Sequence, residues 1–109
     1  MKTFPNNANG DVFRRMQASG DQLDKPRDIE FNQVFENEDN AKRFMESVKQ
    51  LGYERTSCHF FEKKKMWDAC VVVFMLPAYD EVTRVELKLA AVAREFLGRS
   101  DGWGCLAVT

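Results

Sequence analysis

The chain has 109 residues, enough for one domain with one core; 44% are apolar, 30% are charged, and the formal net charge is −1. The near-zero charge excludes the large basic excess that drives non-specific nucleic-acid binding. No apolar run approaches the ~20 residues of a membrane-spanning helix.

Residues 1–8 are polar and read as a flexible terminus. Met1-Lys2-Thr3-Phe4-Pro5-Asn6-Asn7 has no apolar stretch of the signal-peptide kind; the expected location, on the odd cysteine count, is the cytoplasm. A single domain is expected over residues 9–109. It opens with a short helix, Asn9 to Ser19, with Asn9 as its N-cap, Phe13 and Met16 as a narrow apolar stripe, and Gly20 as its end. A polar linker, Asp21 to Lys25, and Pro26 follow.

Asp28 to Phe35 reads as a strand, because Ile29, Phe31 and Phe35 alternate with Glu30, Asn32 and Val34; Gln33 breaks the apolar phase. Asn37 caps a second helix in which Ala41, Phe44, Met45, Val48 and Leu51 recur at helical spacing. Gly52 suits the position just past its end. Tyr53 to Phe61 is a second strand. Lys63-Lys64-Lys65 forms a hairpin tip, and Trp67 to Leu76 is the most strand-like run of the chain. Pro77 stops it. A third helix, Tyr79 to Leu97, carries Val82, Val85, Leu89, Val92, Ala93 and Phe96 on one stripe and ends at Gly98. Trp103 to Val108 can form a last short strand.

Without the first helix the order is β-α-β-β-α-β, the split βαβ arrangement. The expected fold is therefore α+β: a ferredoxin-like sandwich with two helices on one face of a four-stranded antiparallel sheet, strand order 4-1-3-2, and an extra N-terminal helix. A hairpin centred on Lys64 would set Cys58 opposite Cys70 and Phe61 opposite Trp67. It would turn Thr56, Cys58, Phe60, Cys70, Val72, Phe74 and Leu76 toward the helices. Arg55, Ser57, His59, Phe61, Trp67, Val71, Val73 and Met75 would then lie on the other face, as an apolar patch of the kind that meets a partner.

Chemistry is scarce in this pattern. His59 is the lone histidine and has no catalytic companion. A zinc site from Cys58, His59 and Cys105 fails, because the second and fourth strands are opposite edges about 14 Å apart. No phosphate-binding or nucleophile-elbow motif is present. No metal, no cofactor and no enzymatic activity are expected. The odd set of three cysteines reads as reduced, buried thiols.

The tetrapeptide Asp101-Gly102-Trp103-Gly104 has two readings. One is a loop that closes the last strand, with Trp103 over the end of the core. The other is a partner-facing corner formed by Asp28, Arg55, Trp67, Asp101 and Trp103, since a large aromatic among charged groups suits an interface.

Three segments carry a likeness to a known family: Asp24-Lys25-Pro26-Arg27-Asp28-Ile29-Glu30-Phe31, Trp67 through Met75-Leu76-Pro77 with Glu86-Leu87 beyond, and Ser100-Asp101-Gly102-Trp103-Gly104. In these the chain resembles the family of the regulator of ribonuclease E activity B. The resemblance implies a ferredoxin-like domain that binds ribonuclease E and lowers its cleavage of RNA through protein contact. It brings no catalytic residues. The sequence departs from the family's named member in being near neutral, without a long acidic run. The expected partner is thus a protein, ribonuclease E first among them, with the chain a monomer or weak homodimer. No direct nucleic-acid contact and no membrane are expected. An RNA-binding module on the open sheet face, or a small-ligand sensor pairing through sheet edges, are the alternatives.

Overall fold

The computed structural model describes residues 4–108. Residues 1–3 of the expected flexible terminus, and Thr109 at the expected domain end, lie outside the described residues. The elements run α1 (Ala8–Ala18), β1 (Arg27–Phe35), α2 (Glu38–Gln50), β2 (Thr56–Phe61), β3 (Met66–Met75), α3 (Tyr79–Glu95) and β4 (Arg99–Gly104). The strands form one antiparallel sheet in the order β2-β3-β1-β4. This is the expected α+β, ferredoxin-like arrangement with an added N-terminal helix.

Side chains alternate across a strand, so each residue is committed to one face of the sheet. On β1, Ile29, Phe31 and Phe35 are fully buried, while Asp28 and Glu30 are exposed. The buried set joins Phe44 and Val48 of α2, Val82 and Leu89 of α3, and Phe13 of α1 in one cluster. Among the described residues no helix covers the opposite face. Phe4 extends the cluster by stacking on Phe13 at 5.4 Å, and Arg14 donates to the carbonyls of Phe4 and Pro5.

α1 and α2 start at side-chain acceptors, whereas α3 follows Ala78 with no side-chain cap. Asn37 Oδ1 accepts from the Asn40 backbone N–H, as expected of an N-cap. For α1 the cap is Asn7, whose Oδ1 accepts from the Gly10 N–H at 2.9 Å, and not Asn9. Asn9 lies inside the helix, which frees its side chain for tertiary bonds.

The hairpin register differs from the expectation by one residue. Glu62 to Lys65 form a four-residue turn, closed by the Lys65 N–H donating to the Glu62 carbonyl and by a positive φ of 56° at Lys65. An even-numbered turn centres between Lys63 and Lys64. Cys58 therefore faces Ala69 rather than Cys70, and Phe60 rather than Phe61 faces Trp67. The consequence is a reversal of β3. Trp67, Ala69, Val71, Val73 and Met75 share the helix side with Thr56, Cys58 and Phe60; Cys70, Val72 and Phe74 face the open side.

The last strand begins earlier than expected, at Arg99, and Cys105 to Val108 run on as an irregular segment. That early start depends on a close approach. Leu97 takes up the positive φ (62°) beyond α3, so Gly98 is not needed for its backbone freedom. It is needed for space, because a Cβ there would overlap the Phe35 ring.

Gly98→Ala should lower stability by about 2–3 kcal/mol, the cost of overpacking a filled core. In a domain of this size that is a fall of roughly 10 °C or more in Tm. Leu97→Gly should be tolerated within about 1 kcal/mol. Thermal denaturation of the two variants tests both.

Candidate protein-docking face

The Asp101-Gly102-Trp103-Gly104 element lies within β4 itself. Phe31 faces Trp103 and Gln33 faces Ser100, so two steps along β1 match three along β4. The extra residue is a β-bulge, and Gly102 supplies the positive φ of 91° that such a bulge uses. An unbulged strand would put Trp103 opposite Glu30 on the open face. The bulge moves it to the helix side. There Trp103 packs on Phe13 at 5.3 Å, and its indole Nε1 donates to Asn9 Oδ1 at 3.0 Å. Asn9 Nδ2 in turn donates to Thr83 and Glu86 of α3. This network ties β4, α1 and α3 together.

The other four candidate residues fall into three places. Asp28 and Arg55 meet on the open face in a two-pronged ion pair, Nη1 to Oδ1 at 2.7 Å and Nη2 to Oδ2 at 2.9 Å. Asp101 accepts from Lys64 Nζ at 2.7 Å, across the open face from the hairpin tip. Trp67 lies on the helix side against Phe60 at 5.3 Å. Asp28 is level with Phe74, and Trp67 is level with Phe35. Seven residues of strand, about 23 Å, separate the two levels. The five residues are thus not one corner. Asp28 and Arg55 stand together, Asp101 stands at the far end of the same face, and both tryptophans belong to the helix side.

Both ion pairs bridge non-adjacent strands. Asp28–Arg55 reaches from β1 over β3 to the segment before β2. Lys64–Asp101 reaches from the hairpin over β3 and β1 to β4, above the level of Val34, which is 2% exposed although it lies on the open side. The Arg55 guanidinium holds the Asp28 carboxyl below its ordinary pKa by direct hydrogen bonding. That pair is intact at neutral pH and opens only as the pH falls through the lowered carboxylate range. Asp101 raises the Lys64 pKa in the same way, so the Lys64 ammonium stays charged across the physiological range.

Beside Asp28–Arg55 lies a patch that the sequence reading assigned to the core. Phe74 is 65% exposed and Leu76 is 48% exposed. Val72, half-buried, continues the same side of β3. A recess of about 580 Å³ adjoins it, lined by Arg27, Asp28, Glu30, Gly104, Cys105 and Leu106. Its floor is firm. Arg27, 7% exposed, is paired with Asp21 at 2.8 Å and donates to the carbonyls of Gln22 and Leu106. An apolar patch rimmed by charge is the composition of a docking surface. It is a poor base-stacking platform, since Phe31 and Phe35 are buried and the outward residues of β1 include two carboxylates.

Among the described residues, no group of three His, Cys, Asp or Glu side chains is placed to hold a metal ion. Burial pushes the Cys58, Cys70 and Cys105 thiols up from their ordinary pKa, which weakens them as nucleophiles. Among the described residues, no helix is long and apolar enough to cross a membrane.

Trp103→Ala should cost about 3 kcal/mol, as expected for removing a largely packed indole. Trp103→Phe should keep the contact with Phe13 and cost about 1 kcal/mol for the bond to Asn9. Chemical denaturation of both variants separates the two contributions. Equal stability of Trp103→Ala and the parent would mean that the indole does not hold β4.

A search of curated proteins returns no significant match. The model of one family, the regulator of ribonuclease activity B, matches residues 6–105. That span includes every helix and strand described above, and by this match the chain belongs to the regulator of ribonuclease activity B family.

Proposed function

We propose that this chain is a non-catalytic regulator that binds ribonuclease E through its open sheet face and thereby lowers RNA cleavage in the cytoplasm. Family membership supports a role in ribonuclease regulation. The observation that carries the docking surface is the exposed Phe74, with Leu76, beside the Asp28–Arg55 ion pair. An exposed aromatic at the centre and charged groups at the rim are what a protein partner covers. The net charge of −1 and the outward Asp28 and Glu30 favour a protein surface over a phosphate backbone.

The reading makes Phe74 and Leu76 the apolar anchors and Arg55 the charged rim. Asp28 orients Arg55. Asp101 and Lys64 brace the far end of the face, and Trp67 and Trp103 support it from beneath.

Titration of the full chain against purified ribonuclease E, followed by an RNA cleavage assay, tests this. The parent should bind and slow cleavage. Phe74→Ala and Arg55→Glu should each weaken binding at least tenfold, about 1.4 kcal/mol, with Tm little changed. Leu87→Glu, on the exposed side of α3, should bind as the parent does. No binding by the parent would remove ribonuclease E as the partner. Full binding by both open-face variants would remove this face as the site.

A further inference from the structure

The sheet has two edges, and they are built differently. β4 is an edge with a bulge at Gly102 and charged residues at Arg99 and Asp101. Bulges and charges are the usual defences of an edge against pairing with another strand. β2, Thr56-Ser57-Cys58-His59-Phe60-Phe61, has none of these. It contains no proline, no glycine, no lysine, arginine or carboxylate, and no break in its pairing with β3. Ser57, His59, Phe60 and Phe61 are exposed.

Hydrogen-bond parity shows which groups of this edge are free. The Val72 N–H donates to the Arg55 carbonyl at 2.9 Å. In an antiparallel ladder the bonded pairs alternate with unbonded ones. Ser57, His59 and Phe61 therefore direct their backbone groups to β3. Thr56, Cys58 and Phe60 direct theirs outward.

We infer that the β2 edge pairs with the β2 edge of a second copy of this chain, antiparallel about a two-fold axis at Cys58. Cys58 would then face Cys58 of the second copy, and Thr56 would face its Phe60. This register uses every outward N–H and C=O of the strand. Moving the axis to His59 keeps the faces matched, but it leaves Thr56 opposite Glu62, which belongs to the turn. A two-fold contact needs a patch complementary to itself, and an uncharged edge with one uniform row of donors and acceptors meets that need. It offers no charge by which a differently charged partner would be selected. One six-residue edge is a small contact, so the dimer is weak and depends on concentration. The docking face stays free in it, because Phe74 lies on β3.

Sedimentation and backbone amide exchange of the full chain, from about 10 μM to 1 mM, test the pairing. The expected result is a mass that rises toward the dimer, with exchange at Thr56, Cys58 and Phe60 slowed at least tenfold. Ser57, His59 and Phe61 should be protected at every concentration. Cys58→Pro removes an outward N–H without touching the β2–β3 ladder; it should stay monomeric with unchanged protection of the β3 amides, and Cys58→Ser should dimerise like the parent. A monomer at 1 mM overturns the proposal. So does a dimer in which the Thr56, Cys58 and Phe60 amides still exchange freely. Protection that arises only on adding ribonuclease E also overturns it, and gives the edge to that partner.

Discussion

Every assignment in this molecule turns on one constraint. A sheet covered by helices on one side only must keep its large apolar side chains in a single phase, and a shift of one residue moves a whole strand's set across. β1 follows this from Ile29 to Phe35 with two departures, Gln33, which is buried on the helix side, and Val34, which is buried on the open side. β3 has no such pattern of its own, because Val71, Val72 and Val73 are apolar in succession. Its phase is imposed from outside, by β1 on one flank and the hairpin on the other. β4 cannot hold one phase unaided either, and the bulge at Gly102 corrects it halfway along.

This explains what the sequence reveals and what it conceals. The element order, the strand order and the N-cap at Asn37 were legible, since they rest on periodicities and caps that span many residues. The face of Phe74 was not. It depends on whether four or three residues turn the hairpin, and Lys63-Lys64-Lys65 with Glu62 gives no glycine or proline to fix that count. The positive φ at Lys65 is taken up by a residue with no special preference for it. Trp103 shows the same difficulty. Its glycine neighbours signalled an unusual backbone, but a loop and a bulge share that signal, and the choice between them decides which side of the sheet the indole occupies.

The pairing of Asp28 with Arg55 was only half legible. Both residues were expected in one corner, but nothing in the sequence pairs them, since they sit 27 positions apart with α2 between them. What joins them is the placing of β3 between β1 and β2, which brings the start of one flanking strand within reach of the residue before the other. Asn9 gave no signal at all. It reads as a cap, and only the packing of α1 against α3 makes it the partner of the Trp103 indole.

The same constraint gives the open face its character. A helix-free face of a four-stranded sheet would ordinarily be polar throughout. Here two ion pairs cross it, Asp28–Arg55 over β3 and Lys64–Asp101 over β3 and β1, and exposed ion pairs of this kind contribute little to stability, about 0–1 kcal/mol. Their effect is on position. Arg55 is long and flexible when free; bound by two bonds to Asp28 it stands in one place beside Phe74, and the ordering entropy of that side chain is already spent before any partner arrives. Lys64 in its bond to Asp101 brings the hairpin tip down over the far end. Phe74 has two side-chain torsions and Leu76 is unbranched at Cβ, so the apolar part of the patch loses little on being covered. A surface ordered in this way favours association by shape and by apolar contact, which are the terms available to a near-neutral chain that cannot rely on long-range attraction.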